Sequence, residues 1–279
     1  MFSFLSNFLQ KKSIDCFAPI ALGDCRVTRR YLLERTGIEG DGTAIMLAIP
    51  YFTSASNDPR RNLSAYAVPR DYHLFFSMLY GELLPLLRER FPEHRFAGFA
   101  DHSPIAEVEA AARAGLGIIG ENRMLITERY SSYVFLGEIV TDAILPTQLH
   151  PIRSCEGCGA CRAVCPASES GSCLSALTQK KGTLTPEEEE TLLRYGSVWG
   201  CDLCAEVCPH TRRAMESGSI LSPIPFFSEQ TLPHLTLAAL DAMDDAAFSA
   251  RAYAWRGRET VRRNLLLNES NQGDRKCSI

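Results

Sequence analysis

The chain has 279 residues and a mass of 30.9 kDa, which is enough for one large domain or two modest ones. Its 46% hydrophobic and 22% charged residues are typical of a globular protein and exclude a disordered or collagen-like chain. The formal net charge of -4 provides no overall attraction for nucleic acid, so any polyanion must be bound by a local basic surface.

The first third of the chain predicts a buried strand between helical segments. Apolar residues are spaced irregularly over residues 14–39, where we expect one or two helices. The short apolar run TAIMLAIPYF, residues 43–52, predicts a buried strand. Residues 57–69 are polar and predict a loop. Residues 72–91 have helical apolar spacing, with Pro85 as an expected kink.

A second strand and a helix follow. Residues 96–99 predict the strand, and residues 105–114 predict the helix. Ser103 is the expected N-cap of this helix and Pro104 its first helical residue, since a short polar side chain and then proline favour a helix start.

Two more strands are predicted, over residues 123–127 and 133–140. The polar connection between them is typical of a hairpin. The first 150 residues therefore alternate helix and strand, which predicts an α/β or α+β domain with a central sheet.

The run Gly115-x-Gly117-x-x-Gly120 has the letters of a dinucleotide-binding loop. Its context is wrong for that role, because such a loop follows a strand and opens a helix, whereas this run follows a predicted helix and precedes a predicted strand. We expect these glycines to end the helix and form a tight turn.

Residues 152–210 form a cysteine-rich segment, and helices are predicted over residues 235–268. Within the cysteine-rich segment, TPEEEETLLRY predicts a solvated helix with Thr185 as its cap and glutamates in its first turns, where the helix dipole favours them. No chemistry is assigned to these glutamates.

The 11 cysteines are concentrated, with eight of them between Cys155 and Cys208. The run Cys155-x2-Cys158-x2-Cys161-x3-Cys165-Pro166 has the spacing of bacterial ferredoxins, in which three thiolates hold one iron–sulfur cluster and the fourth binds the other. Zinc is the competing interpretation, because Cys-x2-Cys pairs also form tetrahedral sulfur sites. The third evenly spaced cysteine and the Cys-Pro ending favour iron.

A second run, Cys201-x2-Cys204-x3-Cys208-Pro209, is one cysteine short of the ferredoxin pattern. Two four-iron clusters need eight thiolates, and Cys173 completes that number. Crossed ligation as in ferredoxins then gives a first cluster and a second cluster. The expected ligands are Cys155, Cys158, Cys161 and Cys208 for the first, and Cys165, Cys173, Cys201 and Cys204 for the second.

If Cys173 is not a ligand, a single cluster or a labile three-iron second cluster is the alternative. Cys16, Cys25 and Cys277 are expected to be buried apolar residues or an exposed tail thiol. The N-terminal residues lack a secretory signal, and no apolar run is long enough to span a membrane. A reducing cytoplasm is the expected location.

Several blocks of the sequence resemble the epoxyqueuosine reductase family, over roughly residues 44–268. The longest block runs from Asp101 to Asp142, and two blocks contain the cysteine runs. One further block precedes these three, and one follows them. The blocks are DHSPIAEVEAAARAGLGIIGENRMLITERYSSYVFLGEIVTD, CEGCGACRAVCP, GCDLCAEVCPH, NLSAYAVPRDYH and RGRETVRRNLLLN.

This resemblance implies a cobalamin- and iron–sulfur-dependent enzyme that reduces epoxyqueuosine to queuosine at the tRNA wobble position. It implies an α+β fold with three parts: a cobalamin-binding domain with a central sheet at residues 1–150, a ferredoxin-like domain with two 4Fe-4S clusters at 151–212, and a short helical C-terminal segment at 213–279. The form is compact, since the C-terminal helical repeats of longer members are missing from the sequence.

The resemblance also implies site residues. Asp101 corresponds to the proposed proton donor, and a carboxyl shielded by a bound corrin is expected to have a raised pKa. Asp202 and Leu203 match a segment that approaches the corrin. Tyr66, Asp71 and His73 are expected to line the same pocket.

Partners are expected to be tRNA and an electron donor such as a flavodoxin or ferredoxin. A basic stripe on a predicted helix is the expected tRNA contact, with a solvated helix face as the alternative. It comprises Arg251, Arg256, Arg258, Arg262 and Arg263.

Two other functions remain open. One is an iron–sulfur electron-transfer or activator protein for a corrinoid partner, and the other is a corrinoid-dependent reductase of a small molecule. The net charge of -4 and the missing repeats favour these alternatives. The Asp101 block and the extent of the resemblance favour the tRNA enzyme.

Overall fold

The structure, a computed structural model, describes residues 1–38, 40–167, 171 and 173–276, and only the backbone of 270–276. It contains two compact units, each built from separated parts of the chain. The first unit comprises Met1–Tyr51, Tyr72–Cys158 and Arg213–Ile224. The second comprises Phe52–Asp71, Gly159–Arg212 and Pro225–Ile279. Both therefore cross the sequential domain boundaries predicted from the sequence.

The main sheet of the first unit has four strands in the order β1-β2-β6-β3, and every neighbouring pair is antiparallel. A separate pair of short strands, β4 and β5, is also antiparallel. The bounds are Phe17–Ala21 for β1, Thr43–Pro50 for β2, Phe96–Phe99 for β3, Ile118–Ile119 for β4, Leu125–Ile126 for β5 and Val134–Thr141 for β6.

Among the described residues, four α-helices lie wholly within this unit: α1 at Phe2–Lys11, α2 at Arg30–Thr36, α3 at Tyr72–Arg90 and α4 at Glu107–Arg113. All eight residues of β2 are buried, as its uniformly apolar sequence predicts. The alanines of α4 pack into the same core as Met46 and Val140, because small side chains allow a helix to lie close to a sheet. The unit is therefore a helix-covered antiparallel sheet, and the mixed α/β character of the chain is confirmed.

Three element predictions for this unit are wrong. Residues 14–39 contain β1 as well as a helix, because FAPIA pairs with β2. The strands at 123–127 and 133–140 do not form one hairpin: β5 pairs with β4, and β6 lies between β2 and β3. The helix predicted to start at residue 105 starts at Glu107, with Ala106 as its N-cap.

The glycine run after α4 has the structural role that its context predicts. Gly115 has a φ of 87°, a conformation that glycine adopts without steric cost. A Cβ on Gly117 would lie 2.3 Å from the carbonyl oxygen of Ile126, so the close approach of the two chain segments requires glycine. These glycines therefore form a turn between α4 and β4.

The second unit is mainly helical. Thr185 caps α7, accepting from the main-chain N–H of Glu188, whose carboxylate accepts from that of Thr185, as predicted. The helices are α5 at Ala160–Ala163, α6 at Leu174–Gln179, α7 at Pro186–Tyr195, α8 at Leu203–Glu206, α9 at Pro209–Glu216, α10 at Pro225–Ser228, α11 at Leu237–Ala242, α12 at Asp245–Ser249 and α13 at Arg258–Lys276, with α9 extending beyond this unit.

The core of this unit is organised around a fully buried tryptophan, Trp199, which packs with Tyr253, Val261 and Leu265. Leu63 pairs with Trp199 in an isolated parallel β-bridge and belongs to the same apolar cluster as Val261 and Leu265. The segment before residue 71 therefore packs with the C-terminal helices. None of the helices in the described part of the chain has the length and hydropathy needed to cross a membrane.

Candidate functional site

Asp101 lies in the loop between β3 and α4 of the first unit. Its backbone has a φ of 64°, which is uncommon for a residue with a Cβ. Its side chain is 69% exposed, and the carboxylate Oδ2 lies 3.8 Å from Nε2 of His73, which is 52% exposed. The neighbouring imidazole lowers the pKa of Asp101, and the raised pKa expected when a corrin shields this carboxyl stays a prediction. Asp101 is therefore a carboxylate in the free protein.

The loop is held by main-chain and side-chain hydrogen bonds around Asp101. Arg29 Nη1 donates to the carbonyl oxygen of Ser103 at 2.9 Å, and the Arg29 amide donates to that of Pro104 at 3.1 Å. The Tyr31 hydroxyl and His102 Nε2 are hydrogen-bonded at 2.8 Å. The carboxylate is thus presented to solvent on a backbone that is tied to α2.

Ser103 is fully buried and does not cap α4, which corrects the predicted cap. Its hydroxyl accepts from the Ile105 amide at 3.1 Å and makes a short hydrogen bond to Glu138 Oε1. The hydroxyl thus links Ile105 and the buried strand residue Glu138, and the helix starts at Glu107, so Pro104 is not the first helical residue either.

Two acidic residues near Asp101 were not found from the sequence. Glu138 is fully buried in β6, and burial raises its pKa well above the ordinary value. Glu107 is half-buried at the start of α4, and burial, followed by the negative charge of Asp101, raises its pKa to about 7. A glutamate inside the apolar run VFLGEIV is an unusual feature that marks Glu138, but no local pattern marks Glu107.

The second unit brings together the cysteines predicted to hold the second cluster. Burial raises the pKa of Cys204 to about 11, with further increases from the charges of Cys165, Cys161 and Cys173. Burial likewise raises the pKa of Cys201 to about 12, and Cys204 and Cys173 add to this increase. The thiols are therefore close enough for their charges to interact, and they are not in disulfides.

A site rich in mutually repelling thiolates fits a positively charged iron–sulfur core, because metal binding stabilises the deprotonated ligands. Among the described residues, no group of three or more His, Cys, Asp or Glu side chains is close enough together to hold a single metal ion.

The cysteines of the predicted first cluster are divided between the units, with Cys155 and Cys158 in the first unit and Cys161 and Cys208 in the second. The Cys155 amide donates to the carbonyl oxygen of Ile119 at 3.0 Å, so β4 holds the start of this run. The ligand sets of both clusters stay predictions.

The cysteines outside the cluster segment have the predicted apolar surroundings. Cys16 and Cys25 pack against the core of the first unit, and burial raises the pKa of each to about 12. Such thiols are unreactive at neutral pH. Cys277 lies outside the described residues.

Asp202 is held by several donors within the second unit. Its carboxylate accepts from Arg61 Nη1 at 2.5 Å, from the Ser64 hydroxyl at 2.6 Å and from the Ala65 amide at 2.7 Å. The side chain is only 8% exposed. Both carboxylate oxygens therefore serve to attach the segment containing Arg61 to the cysteine run.

A pocket of about 120 Å³ lies beside Asp202, and Cys201, Leu203 and Arg61 are among its lining residues. Leu203 packs against a small apolar cluster that includes Leu174. This pocket is too small to enclose a corrin ring, so it does not by itself explain a cobalamin contact.

The other residues predicted to contact cobalamin are divided between the two units. Tyr66 is half-buried in the second unit, where burial raises the pKa of its hydroxyl. The Asp71 amide donates to the carbonyl oxygen of Ala250 at 2.9 Å. In the first unit the His73 ring stacks on Tyr72, with ring centroids 4.1 Å apart. Their contacts with cobalamin stay predictions.

The predicted basic stripe does not lie on one helix, so this prediction is wrong. Helix α13 starts at Arg258, so Arg251 and Arg256 precede it. The Arg258 guanidinium donates to the carbonyl oxygens of Leu240 and Met243, at 3.0 and 2.8 Å. Most of the guanidinium groups in this set bind main-chain carbonyls or a carboxylate of the same unit.

Arg263 makes two such bonds, to the carbonyl oxygens of Lys180 and Gly182 at 2.7 and 2.6 Å, and Arg262 pairs with Asp241. Arg256 differs, because its guanidinium lies 3.9 Å from the ring centroid of Trp255, a side chain that is 61% exposed. Arg256 itself is half-buried and its Nε is buried without a hydrogen-bond partner, so its charge lies against the Trp255 ring.

Comparison with known proteins gives a consistent result, although no protein-family model matches this chain. The epoxyqueuosine reductase of Gloeobacter violaceus is 32% identical over 224 residues, which cover 76% of this chain and 69% of the relative. That of Synechocystis is 30% identical over 239 residues, covering 81% and 82%. That of Lactococcus garvieae is 27% identical over 262 residues, covering 88% and 74%.

The chain spans less than two thirds of several other relatives, such as 64% of that from Bacillus cereus and 54% of that from Aliivibrio fischeri. These relatives therefore contain parts that this chain does not match.

Solved structures show the same fold. The epoxyqueuosine reductase of Streptococcus thermophilus has a TM-score of 0.76 and 21% identity, with 99% of this chain and 82% of that chain covered. An epoxyqueuosine reductase crystallised with an epoxyqueuosine-modified tRNA-Tyr stem loop has a TM-score of 0.74 and 22% identity, with 97% and 82% covered. Together with the sequence identity to the curated relatives, these findings confirm the predicted resemblance: the chain belongs to the epoxyqueuosine reductase family.

Proposed function

We propose that this chain is an oxidoreductase that reduces epoxyqueuosine to queuosine at the wobble position of tRNA. The observation that carries the proposal is the membership of the chain in the epoxyqueuosine reductase family, at 30% identity over most of both chains for one relative. A solved structure of the same fold contains an epoxyqueuosine-modified tRNA stem loop, which supports tRNA as the substrate.

The cysteine segment supports two 4Fe-4S clusters as cofactors. The interacting thiols Cys165, Cys173, Cys201 and Cys204 would hold the second cluster, and Cys155, Cys158, Cys161 and Cys208 the first. Clusters of this kind transfer single electrons, and an electron donor of the flavodoxin or ferredoxin class would supply them.

Cobalamin is proposed as the third cofactor, and reduced cobalt would supply the electrons that open the epoxide. Tyr66, Asp71, His73 and Leu203 are the residues proposed to contact it. The enclosed position of Asp202 fits a different task, which is to hold the Arg61 segment against the cysteine run through the three hydrogen bonds at its carboxylate.

Asp101 is the proposed proton donor to the departing epoxide oxygen. Its exposed carboxyl has room for a substrate, and His73 beside it lowers its pKa in the free protein. Exclusion of water by bound substrate raises the pKa of a carboxyl, so the proton that Asp101 donates is expected to be held only in the loaded enzyme.

The part that moves in this mechanism is expected to be the Asp101 loop. A solved relative from Bacillus subtilis, with a TM-score of 0.71, is described with its catalytic aspartate loop swung out of the active site. By analogy, the loop of this chain would carry Asp101 toward and away from the substrate.

The proposal is tested with protein purified and reconstituted with iron, sulfide and cobalamin under anaerobic conditions. An epoxyqueuosine-containing tRNA stem loop should be converted to the queuosine form when an electron donor is present. Protein that holds iron and cobalamin but leaves the stem loop unchanged would instead favour reduction of a small molecule. Protein that holds iron and no cobalamin would favour an electron-transfer role.

A further inference from the structure

Asn264 on α13 is fully buried in the second unit, and its side-chain amide uses both its nitrogen and its oxygen in hydrogen bonds. Nδ2 donates to the main-chain carbonyl oxygens of Thr178 at 2.8 Å and of Val198 at 2.9 Å. Oδ1 accepts from Arg263 Nη2 at 2.8 Å and from Arg263 Nε at 3.1 Å. Because the amide nitrogen only donates and the oxygen only accepts, these partners determine the orientation of the side chain. Asn264 therefore joins two segments that are separated in sequence.

The two segments that Asn264 joins both carry a cysteine proposed as a ligand of the second cluster. Thr178 belongs to α6, and the N-cap of this helix is Cys173. Val198 belongs to the segment that leads into Cys201. Cys201 also packs against the apolar cluster that contains Leu174, the residue after Cys173. The contact made by Asn264 is thus next to the place where the two cysteines approach each other.

A direct hydrogen bond joins the same two segments. Thr178 is fully buried, and its hydroxyl accepts from the Gly200 amide at 2.9 Å and donates to the carbonyl oxygen of Ser175 at 2.7 Å. Gly200 has a φ of 74°, a left-handed conformation that glycine adopts without steric cost. The bond therefore holds the turn immediately before Cys201 against α6.

Arg263 extends this contact to the C-terminal end of α6. Its Nη1 donates to the carbonyl oxygens of Lys180 at 2.7 Å and of Gly182 at 2.6 Å. Lys180 is the C-cap of α6, where helix carbonyls lack partners within the helix. One guanidinium group thus binds both the end of α6 and Oδ1 of Asn264, so the two neighbouring residues of α13 act on α6 together.

We propose that Asn264 is a positioning residue for the second iron–sulfur cluster, holding the segments that carry Cys173 and Cys201 at a fixed separation before iron is bound. A cluster needs its thiolates at set distances, and segments that are already joined lose less conformational freedom when they bind it. The inference rests on the proposed function for the presence of this cluster. It involves neither cobalamin nor tRNA.

The test compares iron and acid-labile sulfide per chain after identical anaerobic reconstitution of the full-length protein and its variants. Asn264→Leu removes the amide at similar side-chain size and leaves two buried carbonyl oxygens without a donor. We expect this variant to lose iron to the level of Cys173→Ala, and its oxidised form to show the EPR signal of a three-iron cluster. Wild-type iron content without that signal would overturn the proposal.

Asn62→Leu is the matched control. The Asn62 amide also joins main-chain groups in the second unit, donating to the carbonyl oxygen of Leu235 at 2.8 Å and accepting from its amide at 2.9 Å. Residues 225–276, which include Leu235, contain no cysteine. The bond from the Val198 amide to the Asn62 carbonyl oxygen is a main-chain contact and stays in this variant.

The control variant should unfold at lower urea concentration than the wild type and still hold the wild-type amount of iron. A loss of iron in Asn62→Leu equal to that in Asn264→Leu would show that general destabilisation causes the loss, and it would overturn the proposal. An iron content that Cys173→Ala leaves unchanged would do the same, because it removes the cluster that Asn264 is proposed to serve.

The wild-type protein provides a further test, which decides the question even if Asn264→Leu does not fold. In iron-free protein, the Gly200 amide should exchange slowly with deuterium, because its bond to Thr178 is present before the cluster. Exchange as fast as in urea-unfolded protein would overturn the proposal. Since no measurement here uses tRNA, the expected iron losses in a protein that leaves the stem loop unchanged would count against the proposed function alone.

Discussion

At the level of single residues, the loop between β3 and α4 and the start of α4 contain two carboxyls in different surroundings. Asp101 is exposed beside His73, which lowers its pKa, whereas Glu107 is half-buried beside Asp101 and Glu138, and its pKa is raised to about 7. Groups whose environments push their pKa values apart are common where protons are transferred. Burial therefore favours the protonated forms of Glu107 and Glu138, whereas His73 favours the ionised form of Asp101.

Replacing Glu107 with Gln should stabilise the protein at high pH. A carboxyl whose folded pKa is raised from 4.5 to about 7 binds more protons when folded, so the free energy of unfolding falls as pH rises through that window. Above pH 7 the loss is roughly 2 to 3 kcal/mol. We expect Glu107→Gln to raise the free energy of unfolding at pH 8 and to leave it unchanged at pH 4, measured by urea unfolding.

Glu109→Gln provides the comparison for this experiment. The pKa of Glu109 is lowered by Arg26, so its ionised form stabilises the fold above its pKa. This variant should be destabilised at pH 8. Equal behaviour of the two variants at pH 8 would contradict the assigned environments.

Removing the carboxylate of Asp202 should be costly, because among the described residues Arg61 then keeps only Glu206 as its ionic partner and the Ser64 hydroxyl and Ala65 amide lose their acceptor. The Asp202 and Arg61 side chains are 8% and 15% exposed, respectively, and the N–O distance between them is 2.5 Å. Leaving buried donors without their acceptor costs about 1 to 3 kcal/mol. We expect Asp202→Ala to lower Tm by several degrees in a thermal scan. Asp58→Ala, which removes an exposed pair with Arg60, should change Tm little, and similar losses in both would contradict the interpretation.

The sequence predicts some of these residues and not others, for physical reasons. Asp101 is recognisable because the loop around it matches a family motif. Glu138 interrupts an apolar strand, which is a local signal of a buried acid. Glu107 acquires its environment only when α4 packs on the sheet, and Arg61 meets Asp202 across 141 positions of sequence. No local pattern contains that information.

At the level of elements, two glycines allow α3 to pack against the main sheet. A Cβ on Gly98 would lie 2.5 Å from the Tyr80 ring, and one on Gly137 would lie 2.4 Å from the Phe76 ring. Gly98 is in β3 and Gly137 in β6, so neighbouring strands leave space for aromatic side chains of α3. The Tyr80 hydroxyl then donates to the carbonyl oxygen of Phe99 at 2.8 Å, next to the Asp101 loop.

Gly98→Ala should therefore be destabilising, because the added methyl group forces Tyr80 or β3 to move. Overpacking of this kind costs about 1 to 3 kcal/mol. Gly81→Ala is the control, since a Cβ at that position in α3 meets no atom within 4 Å and alanine favours the helix by up to about 1 kcal/mol. Urea unfolding should show opposite signs for the two variants, and equal signs would contradict the packing.

Elements with strong local signals are predicted well, and those that depend on distant partners are not. The uniformly buried strand Thr43–Pro50 and the capped helix Pro186–Tyr195 follow from their own residues. The predicted hairpin fails because β6 pairs along its whole length with β2, from Thr43↔Thr141 to Pro50↔Val134, some hundred residues earlier in the chain. Burial of both strands in one sheet outweighs the short connection between them.

At the level of the whole molecule, the chain is divided into two discontinuous units, which a sequence read in order does not reveal. Residues 52–71 and 225–276 pack with residues 159–212, while residues 213–224 belong to the sheet unit. The cysteines are the exception, because their spacing alone predicts a cluster-binding segment. The charge of Cys173 acts on Cys201 and Cys204, so these thiols lie close together, and the role of Cys173 as the eighth ligand stays a prediction.

Cys173→Ala should lower the iron bound per chain after anaerobic reconstitution, because it removes a ligand of the proposed second cluster. Iron and acid-labile sulfide analysis gives the measurement. Cys25→Ala, at a thiol packed in the core of the first unit, should keep the full iron content. An unchanged iron content in Cys173→Ala would refute the assignment of eight thiolate ligands.

The central claim is that this chain reduces epoxyqueuosine in tRNA with Asp101 as the proton donor. A single-turnover reaction tests it, with reconstituted protein, reductant and an epoxyqueuosine-containing stem loop, followed by mass spectrometry of the modified nucleoside. We expect the wild-type protein to remove one oxygen atom from the nucleoside, and Asp101→Asn with the same cofactor content to be slower by about 100-fold or more. Conversion at an equal rate by both proteins, or by neither when fully loaded, would contradict the claim.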